Sequence, residues 1–291
     1  MSAAASARTH PTLMPSEHDE FRFAAQEGIR TLYKFRPYST DEDRRRVHEI
    51  LIDHKVYFAR ASQLNDKRDL RPQLRFRGST EAETRQILLA DAEQVWARRP
   101  PPYSGHELQN LRERLATRSL EQLEQEALLR THERLEDHYW ILSLAASRDY
   151  VPMWDDYADR RRGLCIHFRS DGDSPFGLAQ RVLYQREVPV LLVPLGTERE
   201  VADRCTLTKT LRWQQEREYR LVRYPDVDFS DAHLRFDGQH AHFLTWAISG
   251  ITVGPNMPVD DVRDLLKFAD AHDPPLPIWR PNAVVKDVGP G

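Results

Sequence analysis

The chain has 291 residues, with 42 Lys and Arg against 45 Asp and Glu, a formal net charge of -3 and 40% apolar residues. That length predicts one large domain or two small ones, with apolar content sufficient for a core. The charge balance excludes bulk nucleic-acid binding, and no apolar run approaches the ~18 residues that a bilayer crossing requires.

Two cysteines, Cys165 and Cys205, are too few for a disulfide framework and match no zinc spacing. A reducing cytoplasm is the expected compartment, without membrane association. Residues 1–20 combine small and polar side chains with two prolines and no periodicity. They predict a disordered tail lacking the apolar stretch of a secretion signal. Residues 21–291 are expected to form a single α+β domain.

TLYKFR (31–36) reads as a strand stopped by Pro37. Its alternation puts Leu32, Lys34 and Arg36 on one face, and Tyr33 and Phe35 on the other. Two adjacent cations suit an anionic ligand, Arg above all; an exposed edge with extended charged side chains fits equally. Thr40 and Asp41 can cap a helix with Val47, Ile50 and Leu51 as its buried stripe. KVYFAR (55–60) is a second strand, followed by a turn at Asn65 and Asp66. Asp66 and Asp69 are weak metal candidates, because a third acidic ligand is required. Local caps on a turn are the commoner use of such residues, and no metal site is expected.

Residues 79–137 differ in character. Thr80 with Glu83 and Ser119 with Gln122 fit capping boxes. Ile87, Leu88, Ala92, Val95 and Trp96 follow a helical period, as do Leu120, Leu123, Ala127, Leu128 and Leu135. Three prolines (100–102) break the run. This predicts a helical hairpin inserted between strands at about residues 79–138, a solvated surface or else a lid or partner-binding arm.

YWILSLAA (139–146) is a strand with Ser143 among large apolar residues. Its hydroxyl requires a partner, either backbone or ligand. Val151 and Pro152 predict a turn, after which Met153, Trp154 and Tyr157 cluster; packing is the usual fate, stacking on a planar ring the alternative. Residues 163–168 form another strand, residues 206–211 a short helix, residues 241–249 and 250–253 strands, residues 258–271 an amphipathic helix and residues 277–280 a last strand. Many strands, with helices gathered in one insert, predict an α+β fold with a mixed, mainly antiparallel sheet. Neither GxGxxG nor GxxxxGK[ST] occurs.

The stretch WQQEREYRLV (213–222) carries the densest chemistry. As a strand it puts Glu216 and Glu218 on one face, roughly 6 to 7 Å apart, with Arg220 beside them and Tyr219 and Leu221 in the core. A solvated Arg–Glu face is the commoner outcome of that spacing.

LYKFRP (32–37), KVYFARASQLND (55–66), ILSLAASRDYVPMWDDYADRRRGLCIHF (141–168) and WQQEREYRLV, in that order, resemble the bacterial family called domain of unknown function 2971. The resemblance covers the chain from about Leu32 to Ile278. The family's aromatic FNDPFD loop is here Leu64 to Asp69, lacking the proline and the aromatics. More remotely, the order of polar residues is similar to the ADP-ribosyltransferase fold of the arginine-serine-glutamate class, which implies a split sheet. The matching positions are Arg36, Ser143, and Glu216 with Glu218.

That resemblance implies an enzyme using NAD as substrate, a transferase or an NAD hydrolase, of a kind often found as toxin or phage-defence factor. Glu218 would stabilise the oxocarbenium-like cation and Glu216 would orient the acceptor, a macromolecule or small molecule. Arg36, with Lys34, would hold phosphate or ribose; Ser143 would position the nicotinamide ribose; and Trp154 or Tyr157 would stack on nicotinamide. The competing readings are a non-catalytic binding module with the helical insert as partner arm, and a metal-dependent nuclease using Asp66, Asp69 and Glu218.

Overall fold

The computed structural model describes residues 22–98, 105–280 and 283–284. The expected N-terminal tail lies outside them. The chain divides into two compact units. The first takes the described residues up to Ala59, Trp140–Tyr184, and those from Leu211 onward; the second takes Arg60–Tyr139 and Gln185–Thr210.

The main sheet of the first unit has eight strands: β1 (Thr31–Arg36), β2 (Trp140–Ala145), β3 (Leu164–Arg169), β4 (Gln180–Arg181), β5 (Glu218–Arg223), β6 (Ile248–Val253), β7 (Ile278–Arg280) and β8 (Ala283–Val284). Their order across the sheet is β8-β7-β6-β3-β1-β2-β5-β4, and β6 with β7 is the parallel pair in an otherwise antiparallel arrangement. The mixed, mainly antiparallel α+β architecture is therefore the one the sequence pattern predicts.

Between β1 and β2 the pairing narrows. Tyr33 opposite Ala145 is the one registered pair there, against six in each flanking strand pair. Where the ladder stops, the Lys34 ammonium donates to the Ser143 carbonyl at 2.8 Å. A side chain thus takes over from the backbone at the seam.

The centre of the sheet is apolar because β3 is buried from Leu164 to Phe168 and its neighbours contribute Leu32, Phe35, Ile251 and Val253. Helix Asp41–Leu51 begins at Thr40, whose side chain and that of Asp43 form a reciprocal cap, and it buries Val47, Ile50 and Leu51 as the sequence periodicity requires. Residues 151–157 form a helix rather than a turn. Pro152 sits in its first turn, where a missing N–H and a fixed φ cost nothing.

Two other sequence expectations shift. Within 241–249 the strand is short (His240–His242), and a 3-10 turn over Thr245–Ala247 separates it from β6. The helix expected at 206–211 lies earlier, at Glu198–Thr206, because Thr197 and Glu200 cap its start reciprocally; a strand (Thr208–Thr210) follows.

The second unit holds the helices Glu81–Ala97, Gly105–Thr117 and Leu120–His138, with the parallel strand pair Gln73–Phe76 and Val190–Val193. The Ser119 capping box forms with Gln122. At Thr80 only half of it forms: Thr80 accepts from the Glu83 amide, but the Glu83 carboxylate takes the Ser79 amide instead. Leu74, Leu123, Leu135, Leu191 and Leu207 are buried. The helical insert is thus accompanied by strands from both flanking segments.

Candidate active site on one face of the sheet

The 3-10 helix Leu211–Glu216 ends one residue before β5. Arg217 between them has φ of 47°, in the left-handed region, which reverses the backbone. Glu216 therefore lies outside the strand, and the two-residue alternation does not apply to it. The two carboxylates nonetheless reach the same side. Glu218 stands opposite Ala145, which stands opposite Tyr33, so these share a sheet face. The helix Val151–Tyr157 packs on that face, where Trp154 contacts Phe35, Ala145 and Cys165. From that helix the Tyr157 hydroxyl donates to Glu216 Oε1 at 2.8 Å.

Both glutamates are buried, Glu216 at 8% exposure and Glu218 at 3%. The solvated Arg–Glu face expected from spacing alone is thus replaced by a desolvated pair. Arg220 Nε donates to Glu218 Oε1 at 2.7 Å and a terminal nitrogen reaches Oε2 at 3.3 Å. Arg220 itself is 1% exposed. The Glu218 amide donates to the Tyr184 hydroxyl at 2.8 Å. Burial first, and then the Glu218 charge, push the Tyr184 hydroxyl above its ordinary value.

Ser143 is half-buried and stands opposite Arg220, one position along the same face. Trp154 is buried edge-on against Phe35 at 5.0 Å and donates its indole N–H to the Arg148 carbonyl at 2.7 Å. Packing is what the structure shows for Trp154, while Tyr157 is half-buried and tied to Glu216. Glu216, Glu218, Ser143, Trp154 and Tyr157 therefore come together.

Arg36 and Lys34 do not join them. Tyr33 and Phe35 pair with His167 and Cys165, whereas Lys34 and Arg36 pair with Ile166 and Leu164, so these two cations alternate to the opposite face. The guanidinium of Arg36 is held down to about 10 by burial and then by the Arg46 charge, and its buried Nε has no hydrogen-bond partner among the described residues. A groove of about 440 Å³ runs along helix Asp41–Leu51 on its Asp41, Arg44, His48 and Glu49 side, and neither Glu216 nor Glu218 lines it.

Asp66 and Asp69 lie in the second unit, both buried. Asp66 Oδ1 accepts from the Arg68 amide at 3.0 Å and its carbonyl from the Asp69 amide at 3.0 Å, which is the local capping expected of a turn. Among the described residues no group of three or more His, Cys, Asp and Glu is placed to hold a metal ion.

Sequence reasoning missed His167, Thr252, Arg148 and Trp279. His167 Nε2 lies 2.8 Å from Thr252 Oγ1, which also accepts from Arg148 Nη1 at 3.0 Å. The His167 ring stacks on Trp279 at 5.0 Å and 6°. Burial, followed by the Arg148 charge, pushes the imidazole down to about 3. The one available signal was an imidazole within the apolar strand LCIHFR, alternating against Leu164, Ile166 and Phe168; Arg148 and Trp279 carry no local signal. No family model matches the chain, and neither a curated protein nor a solved structure matches it.

Proposed function

We propose that the chain cleaves the bond between nicotinamide and ribose in NAD on the face bearing Glu216, Glu218 and Ser143. The C1′–N bond breaks with its electron pair leaving on nicotinamide, and an acceptor oxygen or nitrogen, or water, forms the new bond at C1′ and loses its proton. The observation that carries this reading is two glutamates buried on one side of the sheet, beside the seam where β1 and β2 cease to pair. A buried carboxylate is worth most where positive charge develops at the sugar, because the surroundings screen it little.

Glu218, oriented by Arg220, supplies that fixed negative charge. Glu216, positioned by Tyr157, is the group that orients or deprotonates the acceptor. Ser143, opposite Arg220, would hold a ribose hydroxyl in this reading. The test is free nicotinamide released from NAD by the wild type beside Glu218→Gln and Ser143→Ala, with circular dichroism to check folding. Glu218→Gln is expected to lose roughly 10²-fold or more; folded Glu218→Gln with undiminished release contradicts its role.

One observation favours a second reading, a non-catalytic interaction module. Glu218 and Arg220 engage each other through both carboxylate oxygens, as a structural pair would. In that reading the helical insert is the partner arm, and Val95 and Leu129 on its helices are exposed. Among the described residues no helix is long and apolar enough to cross a membrane.

A further inference from the structure

The same sheet face carries a second set of groups, reaching from β1 across β3 and β6 to β7, that the two-carboxylate chemistry does not use. The registers align Glu218, Ala145, Tyr33, His167 and Gly250 across five strands. Trp279 lies over Gly250, where an added Cβ would come within 2.2 Å of its ring. Arg148 enters this end of the face from the segment after β2. Its guanidinium lies 5.8 Å from the Trp279 ring centre and donates to Thr252.

Among the described residues no carboxylate pairs with Arg148, although the group is half-buried. A guanidinium carries five N–H donors, and one is used here. The half-buried Tyr33 ring meets His167 edge-on at 5.0 Å; burial pushes its hydroxyl above the ordinary value, and the Arg148 charge opposes that shift. That hydroxyl makes no hydrogen bond to another described residue.

The Thr252 bridge fixes the arrangement. Arginine only donates, so Thr252 Oγ1 accepts from Arg148 and can give its own proton to the Nε2 of a neutral His167. The arginine is thereby held without being neutralised. Two unspent donor groups, flanked by stacked rings on a rigid sheet, make a pre-organised oxyanion site, and guanidinium geometry matches phosphate.

We infer that Arg148 and Tyr33 form a binding site for the diphosphate of a nucleotide, at the Trp279 end of the face. The inference takes from the NAD reading only the identity of the anion. Arg148 replaces Arg36 in this role, since Arg36 points to the opposite face.

The experiment is calorimetric titration of the full chain with inorganic pyrophosphate and, separately, assay of nicotinamide release, using wild type, Arg148→Met, Arg148→Lys and Tyr33→Phe. The wild type is expected to bind pyrophosphate. Arg148→Met is expected to weaken it at least tenfold, Arg148→Lys to fall between, and Tyr33→Phe to weaken it several-fold. Thermal midpoints show which variants fold, and Arg148→Lys decides if Arg148→Met does not. No pyrophosphate binding by the wild type, or equal binding by the folded Arg148 variants, overturns the site even where nicotinamide is released. Arg148-dependent pyrophosphate binding without nicotinamide release keeps the site and removes the NAD reading.

Discussion

Arg220 and Arg148 serve the same sheet face in opposite states. Arg220 is buried at 1% exposure against Glu218, with charge and hydrogen bonds satisfied together. Arg148 is half-buried over a ring and against a hydroxyl, without a carboxylate among the described residues. The first arrangement is what desolvation demands of two charges, since each would be costly to bury alone. The second leaves positive charge available to something that arrives. Identical side chains thus divide into one that organises the carboxylate end of the face and one that leaves the aromatic end receptive to an anion.

The comparison breaks most visibly at the buried pair. Arg220→Met removes the charge that engages both carboxylate oxygens of buried Glu218, and is expected to cost about 3–5 kcal/mol in urea unfolding. The double variant Glu218→Met with Arg220→Met is expected to regain most of that loss. If the single variant costs less than about 1 kcal/mol, the pair is more solvated than its burial implies.

Comparable in size is the pH response of His167. Its imidazole sits at about 3 against an ordinary 6.5. Between those values the unfolded chain binds more protons than the folded one. Its contribution to stability is therefore complete above about pH 6.5 and declines as pH falls toward 3, by on the order of 5 kcal/mol across that window. His48, His54, His132 and His240 are also lowered, chiefly by burial, and add to the same trend. Unfolding midpoints of wild type and His167→Phe from pH 7 to 4 test it: the variant's curve is expected to be flatter, and parallel curves would contradict the assignment.

Smaller still is Tyr157→Phe, which removes one hydrogen bond from Glu216 and is expected to cost about 1 kcal/mol in stability. On the account given, nicotinamide release falls with it, since Glu216 loses its orientation. At the bottom of the scale, Arg45→Ala removes exposed pairs with Glu42 and Glu49 and is expected to leave the unfolding midpoint essentially unchanged.

Alternation and capping made much of the fold legible. Leu32, Phe35, Leu164 and Ile166 follow from alternation with a core on both faces of the sheet, and Thr40, Thr80 and Ser119 mark helix starts by caps that form locally. What failed depended on backbone events without a composition signal. The left-handed φ at Arg217 removed Glu216 from the strand, and Pro152 read as a turn because a helix start and a turn use proline alike. The candidate site was half legible. That Glu218 and Ser143 share a face was legible locally, because they stand on one strand pair, whereas Glu216 reaches that side from outside the strand. Arg36 was assigned by order along the chain, and the face it takes is set by alternation against β3. Arg148, Thr252 and Trp279 meet only through the register of β3, β6 and β7, which a single sequence does not display.

The most direct test of the central claim, that this face cleaves NAD, is free nicotinamide released over time by the wild type beside Glu216→Gln. The account predicts steady release by the wild type, in the presence of acceptor or water, and loss of most of it in a folded Glu216→Gln. Release by both at the same rate, or by neither with acceptor-rich lysate supplied, would contradict it.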